Sequence, residues 1–281
     1  MRKSKSPWRF LTIFRLGIVL VFASTAWSET PNPIRIMPLG DSITYGSKST
    51  GVVGYRRSLY QLLLDACYNV DFVGSQTDGS PADFDRNHEG HRGWRADQIR
   101  DNIIGWLNST PADVVLLHIG TNDISQGQGS ANPAAEIGQI LDLIDTWEEA
   151  NNEVWVVLAR IINRNDLQSG TTTTLNSRIQ NLADTRIAAG YKIVVVDMES
   201  ALSYPADLSD TVHPNDTGYG KMTAVWFAAL EDLPIFPPNP DFDVDRDVDG
   251  SDLSELVANP GLLELSTFAT EFGRIDCLQV E

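Results

Sequence analysis

Between Ile34 and about Leu233, short β-rich apolar runs alternate with stretches whose apolar positions recur every three to four residues. The runs Ile34–Leu39, Val70–Val73, Val114–Ile119, Val154–Leu158 and Ile193–Val196 predict strands. Val114-Val115-Leu116-Leu117 is continuously apolar, as expected of a strand covered on both faces. Leu59, Leu62, Leu63 and Ala66 have the i, i+3, i+4, i+7 spacing of one buried helix face. Further helices are predicted over Ala96–Leu107, Ala134–Glu149, Leu175–Ala189 and Gly218–Leu230. This alternation predicts a three-layer α/β/α fold around a five-stranded parallel sheet. Such sheets bind ligands at the carboxyl ends of their strands, so the chemistry is sought in the loops that follow them.

The pattern stops at residues 234–240, where Pro234, Pro237, Pro238 and Pro240 cannot continue a helix. The division read from this is a catalytic domain over 29–233, a Pro-rich linker over 234–240 and a small segment over 241–281. At the other end, residues 2–15 are basic, Leu16–Ala23 are apolar and Ala26-Trp27-Ser28 offers small residues at cleavage offsets. That is the layout of a secretory signal peptide over 1–28. Its apolar run falls short of the roughly 20 residues that span a bilayer. The expectation is a secreted, extracellular protein with no membrane attachment after cleavage.

Charge narrows the partners. The 281 residues carry 21 Lys+Arg against 38 Asp+Glu, a formal net charge of −17. Removing the five basic residues of the leader leaves −22. A chain this acidic repels phosphate backbones, which excludes nucleic acid as a partner. Two cysteines, Cys67 and Cys277, allow one bridge or two free thiols.

The first strand runs into Gly40-Asp41-Ser42-Ile43-Thr44. A serine here sits at the reactive edge of the sheet, but its hydroxyl needs a base. Asp210-Thr211-Val212-His213-Pro214 lies between the last strand and the last helix, at the same edge. An Asp three residues before a His can hold one imidazole nitrogen and leave the other for the nucleophile. The third strand ends in Gly120-Thr121-Asn122-Asp123, where Asn122 offers an amide. Gly93, in His91-Arg92-Gly93-Trp94, offers an unshielded backbone N–H. Donors of this kind stabilise charge developing on a carbonyl oxygen. Asp41 and Trp94 are candidate substrate-binding residues; for Trp94 loop packing is the equal alternative. His118, inside an apolar strand, reads as a core residue. His88 and His91 flank Glu89 without the spacing of a metal motif.

These four segments together resemble the SGNH (GDSL-type) hydrolases over about residues 34–230. Met37–Thr44, Val70–Ser75, Glu89–Trp94 and His213–Asp216 further resemble the acetyl xylan esterases of carbohydrate esterase family 3. The resemblance implies a flavodoxin-like fold and a triad of Ser42, Asp210 and His213. It also implies an oxyanion hole from Ser42, Gly93 and Asn122, an acetylated polysaccharide substrate and no cofactor for catalysis. A lipid or thioester hydrolase of the same fold, and a non-catalytic polysaccharide-binding or scaffold-attached protein, are the rival readings.

The segment after the linker places Asp241, Asp243, Asp245, Asp247, Asp249 and Asp252 within twelve residues. Oxygen ligands at alternating positions closed by a carboxylate at the twelfth suit Ca²⁺, with the Asp247 carbonyl among them. The run resembles the calcium loop of a dockerin, which implies Ca²⁺ and a cohesin-like scaffold partner. Arg246 stands where such loops have a glycine, and one loop is visible rather than two. A solvated acidic linker is the alternative.

Overall fold

A computed structural model describes residues 32–127, 132–236, 240–242 and 248–272. The leader at 1–28, Pro237 and Pro238, the acids Asp243, Asp245 and Asp247, and Cys277 lie outside the described residues. All five expected strands are present, within two residues of their predicted ends: β1 (Ile34–Gly40), β2 (Val70–Phe72), β5 (Val114–His118), β6 (Trp155–Arg160) and β7 (Ile193–Asp197). Two short strands, β3 (Gln76–Thr77) and β4 (Asn87–Gly90), bring the sheet to seven. The order is β3-β4-β1-β5-β6-β7, with β2 also on β1. Every pairing is parallel except β3 with β4.

The expectation of five strands is therefore corrected, and the reason lies in one edge of β1. Its first half pairs β2 (Ile34 with Val70), and its last two residues pair β4 (Leu39 with Glu89, Gly40 with Gly90). Asn87-His88-Glu89-Gly90 has no apolar alternation, so hydrophobic patterning passes over it. It is buried all the same, because its polar groups find partners within the fold.

The helices are α1 (Ser42–Tyr45), α2 (Arg56–Asp65), α3 (Ala96–Ser109), α4 (Thr121–Gln126), α5 (Pro133–Glu148), α6 (Ser169–Ala188), α7 (Met198–Ala201), α8 (Asp216–Glu231), α9 (Gly250–Ala258) and α10 (Leu265–Glu271). The period of two along β5 sorts its side chains between two cores. Val115 and Leu117 pack with Ile99 and Ile103 of α3, Ile137 and Ile140 of α5 and Ile179 of α6. Val114 and Leu116 pack with Leu59 and Leu63 of α2 and Met222 and Trp226 of α8. Each fully buried Leu or Ile contributes roughly 1.5–3 kcal/mol, so both faces of the sheet are heavily committed. What remains free is the carboxyl edge, where β1, β4, β5 and β7 open into loops.

Beyond the linker, α9 and α10 close on a small separate cluster of Val248, Leu256 and Phe268. Asp249 and Asp252 form a reciprocal capping box at the start of α9. The Asp249 carboxylate accepts the Ser251 N–H at 2.6 Å, and that of Asp252 accepts the Asp249 N–H at 2.9 Å. Among the described residues there is no free cysteine. No helix among them is long and apolar enough to cross a membrane.

Candidate active site

The nucleophile candidate is positioned by the end of β1. A Cβ on Gly40 would lie 2.2 Å from the His118 carbonyl oxygen of β5, so no larger residue fits where the two strands converge. Asp41 then caps α1, its carboxylate accepting the Ile43 N–H at 2.9 Å. Ser42 is thus the first residue of a helix whose opening N–H groups have no helical acceptor. Its side chain meets the imidazole of a distant loop, with Ser42 Oγ and His213 Nε2 2.8 Å apart.

That loop is fixed from several sides. Leu208 and Pro214 form an antiparallel bridge, the Ser209 N–H donates to His213 O, and the Asn165 N–H donates to Thr211 O. Asn215 caps α8 by accepting the Gly218 N–H. His213 Nδ1 lies 3.0 and 2.9 Å from the two Asp210 carboxylate oxygens. Asp210 also accepts the N–H groups of Val212 and His213. Burial alone would raise its pKa, but those backbone donors and the imidazole together hold it below the usual carboxylate value. The acid therefore stays ionised, as an orienter of histidine must.

The oxyanion candidates are tied to the segments beside the serine. Asn122 occupies the first turn of α4, immediately after β5. Its Nδ2 donates to Trp94 O at 2.9 Å and, at a longer 3.3 Å, to Asp41 Oδ2. Gly93 has φ +80°, the left-handed region that favours glycine, and a Cβ there would meet nothing within 4 Å. The backbone turn, not crowding, demands it. The Gln126 side chain donates to Gly93 O at 2.7 Å and fixes that peptide.

Asp41 and Trp94 both have partners within the protein. The Asp41 side chain is fully buried; it caps α1 and holds Asn122, so it has no access to a ligand in the cleft. Burial raises its pKa to about 7 against the stabilising Ile43 N–H. Trp94 is half-buried and stacks at 4.2 Å on His91, which stacks in turn at 4.9 Å on Trp106. One indole face is thus covered by the protein. His91 Nε2 lies 2.7 Å from Glu89, which also binds the Ser75 hydroxyl at 3.0 Å. The clamp Ser75–Glu89–His91–Trp94 sets the loop that carries Gly93. His88 and His118 are buried core residues whose ring nitrogens accept the N–H groups of Gly90 and Ile162.

Sequence reasoning missed Arg56. Its guanidinium is fully buried and donates to five backbone carbonyls, those of Thr44, Tyr45, Val52, Asp78 and Arg86. It ties α1, which carries Ser42, to two flanking loops. Burial lowers its pKa to about 10, which leaves it charged at neutral pH.

A serine bonded to a histidine that is bonded to an ionised aspartate, at the edge of a parallel sheet and beside an amide and a glycine turn, is an arrangement suited to acyl transfer. The chain belongs to the GDSL-like Lipase/Acylhydrolase family, whose pattern matches residues 39–221. Its fold is that of the SGNH hydrolases. It is similar to a family 3 carbohydrate esterase of Clostridium thermocellum, with 31% identity and a TM-score of 0.60 over 70% of this chain and 94% of that one. It is also similar to a family 3 carbohydrate esterase from Talaromyces cellulolyticus, at 30% identity and TM-score 0.60 over 70% and 96% of the two chains. A multidomain esterase of Ruminococcus flavefaciens is 29% identical over 229 residues, which are 73% of this chain but only 29% of that protein.

Proposed function

We propose that the protein is a secreted serine esterase that removes O-acetyl groups from plant cell-wall polysaccharide, with acetylated xylan as the substrate class. The observation that carries this is the 2.8 Å contact of Ser42 Oγ with His213 Nε2. In the proposed cycle Ser42 attacks the ester carbonyl while His213 takes its proton, and Asp210 stabilises the imidazolium. The oxyanion is met by the Ser42 and Gly93 N–H groups and by the Asn122 amide, which turns from its long bond to Asp41. His213 then protonates the leaving sugar oxygen. Water, deprotonated by His213, attacks the acyl-serine; the acyl–Oγ bond breaks, His213 returns the proton to Ser42 Oγ and acetate is released.

The polysaccharide reading is supported by the two family 3 carbohydrate esterases at 30–31% identity. The lipid or thioester alternative needs an apolar groove for a long acyl chain. Among the described residues the large exposed apolar side chains near the triad reduce to Leu167, on a segment bonded to the triad loop. One leucine does not make a groove. Rates on p-nitrophenyl acetate, on longer acyl esters and on acetylated xylan, with Ser42→Ala as control, test the assignment. Activity confined to long acyl esters would replace it with the lipase reading, and none at all with the binding-protein reading.

For the C-terminal segment the proposal is a Ca²⁺ loop that docks the enzyme on a cohesin-like scaffold. Its donor set is all oxygen, as a hard cation requires. Asp241 and Asp252 are buried and would hold the ion together with Asp249 and the acids outside the described residues. The cation has no part in ester hydrolysis. Calorimetric titration with Ca²⁺ tests the site: no heat at millimolar concentration would assign these acids to helix capping and solvation alone.

A further inference from the structure

The turn over residues 46–54 links α1 to α2 and is strained along its length. Lys48 and Val52 have φ of +73° and +58°, and Gly46, Gly51 and Gly54 are also left-handed. A left-handed β-branched residue such as Val52 is a true outlier. Strain of this kind costs about 1–3 kcal/mol per residue and persists only where the surroundings impose it. Here they do. Thr50 donates its N–H and hydroxyl to Asp216 at 2.8 and 2.7 Å, and Ser49 bonds both Gly46 and Gly54. The Ser80 N–H donates to Gly51 O, and Arg56 to Val52 O.

One side of this turn faces the triad. The Ser47 N–H donates to Ser42 O, and Lys48 Nζ lies 3.9 Å from Asp210 Oδ2. Its other side lines an open cavity of about 230 Å³, together with Ser58 and Arg57 of α2, Ser80, and Asp216 and Gly220 of α8. The cavity floor is Tyr219, whose buried hydroxyl donates to Ser47 O at 2.8 Å. The same strained turn therefore touches the reactive site and lines the cavity.

The lining selects the ligand. It offers the Ser58 and Ser80 hydroxyls, with Thr50 and Asp216, already bonded to each other, as further acceptors beside the apolar Val53 and Pro81. The Arg57 charge is already paired with Asp83, so an anion finds no net attraction. Tyr219 is buried, which leaves no open aromatic face and disfavours a flat apolar group. The volume is below the ~300–1,000 Å³ of drug-sized ligand sites and suits a single hydroxyl-rich ring. Resting on the carbohydrate-esterase reading above, we propose that this cavity is a second sugar subsite. It holds an unmodified residue of the same glycan chain while Ser42 attacks an acetyl group further along, so that the protein reads a chain and not a lone acetylated sugar.

The test uses the full chain carrying Ser42→Ala and unacetylated xylotetraose as the probe, followed by amide chemical shifts and calorimetry. Xylotetraose is expected to shift the amides of Thr50, Gly54 and Gly220 in addition to those beside the triad. A Cβ at Gly220 would meet nothing within 4 Å, so Gly220→Phe can fill the cavity without moving the helix. It is expected to weaken xylotetraose binding at least fivefold and to abolish the shifts at Thr50 and Gly54. Ser58→Trp, filling from the opposite wall, repeats the measurement should Gly220→Phe fold poorly. Shifts confined to the triad loops, or filled variants that bind xylotetraose unchanged, would overturn the subsite. Hydrolysis of p-nitrophenyl acetate by the unaltered protein tests the esterase reading separately, because that substrate has no glycan chain.

Discussion

The Ser42 hydroxyl and the His213 imidazole are 171 positions apart in the chain and 2.8 Å apart in space. Only the folding of the chain brings them together. Replacing either with alanine is expected to lower kcat on p-nitrophenyl acetate by roughly 10⁴–10⁶-fold with an unchanged circular dichroism spectrum. Because they act as a unit, the double variant should be no slower than the worse single one.

Asp210→Asn keeps an acceptor for the backbone N–H groups that Asp210 now receives, yet removes the charge facing His213. Turnover is expected to fall about 10⁴-fold through the wrong imidazole tautomer. A loss under tenfold in steady-state kinetics would mean that another group orients His213.

Asn122→Ala removes a donor whose present partners are Trp94 O and Asp41. The expected loss is about 10²–10³-fold in kcat with little change in KM. A variant whose KM rises while kcat holds would place Asn122 in ground-state binding instead.

Stability should depend on pH through His118. Burial depresses its pKa from 6.5 to about 4, so the unfolded chain binds a proton below pH 6.5 that the folded one refuses. Stability is then lost as pH falls from 6.5 toward 4, by roughly 2 kcal/mol between pH 7 and pH 5. Burial of His88, depressed to about 2, acts in the same direction. Asp41 acts oppositely: raised by burial to about 7, it favours the folded state toward the acid end of that window. His118→Gln retains an acceptor for the Ile162 N–H and isolates the histidine. The difference between urea unfolding free energies at pH 7 and pH 5 should shift by about 2 kcal/mol, and no shift would refute the assignment.

Arg56→Met would leave five buried carbonyls without their donor. Each unsatisfied group costs about 1–3 kcal/mol, so a loss of at least ~3 kcal/mol in urea unfolding is expected. Arg56→Lys should recover little of it, since an ammonium has three donors and lacks the planar fork.

The two-core fold was legible because its strands and helices keep their periods, and the contacts of Ser42, His213 and Asp210 because Ser42 follows the first strand and an Asp three residues before a His can reach its ring. What escaped was polar. Strand β4 has no hydrophobic alternation, and its burial rests on Ser75 and His91 reaching Glu89. Arg56 shares a helix face with Leu59 and Leu63, but a guanidinium at the start of an amphipathic helix reads as solvent-facing. Asp249 and Asp252 read as cation ligands by their spacing. The same three-residue interval is also that of a capping box, which they form at the start of α9 and which the ligand spacing hid. Asp41 read as a substrate-binding residue beside the nucleophile, whereas its neighbours bury it completely.

The carbonyl cradle around Arg56 bears on how the active site responds to its medium. Surface ion pairs weaken as electrolyte is added and as their carboxylates take up protons. Arg56 leans instead on fixed peptide dipoles, which neither titrate nor attract counterions, and it is sealed from the solvent that would carry them. The Arg56 tie on the helix of Ser42 should therefore hold in brine, a condition in which Lys48 and Asp210 at the rim would drift apart.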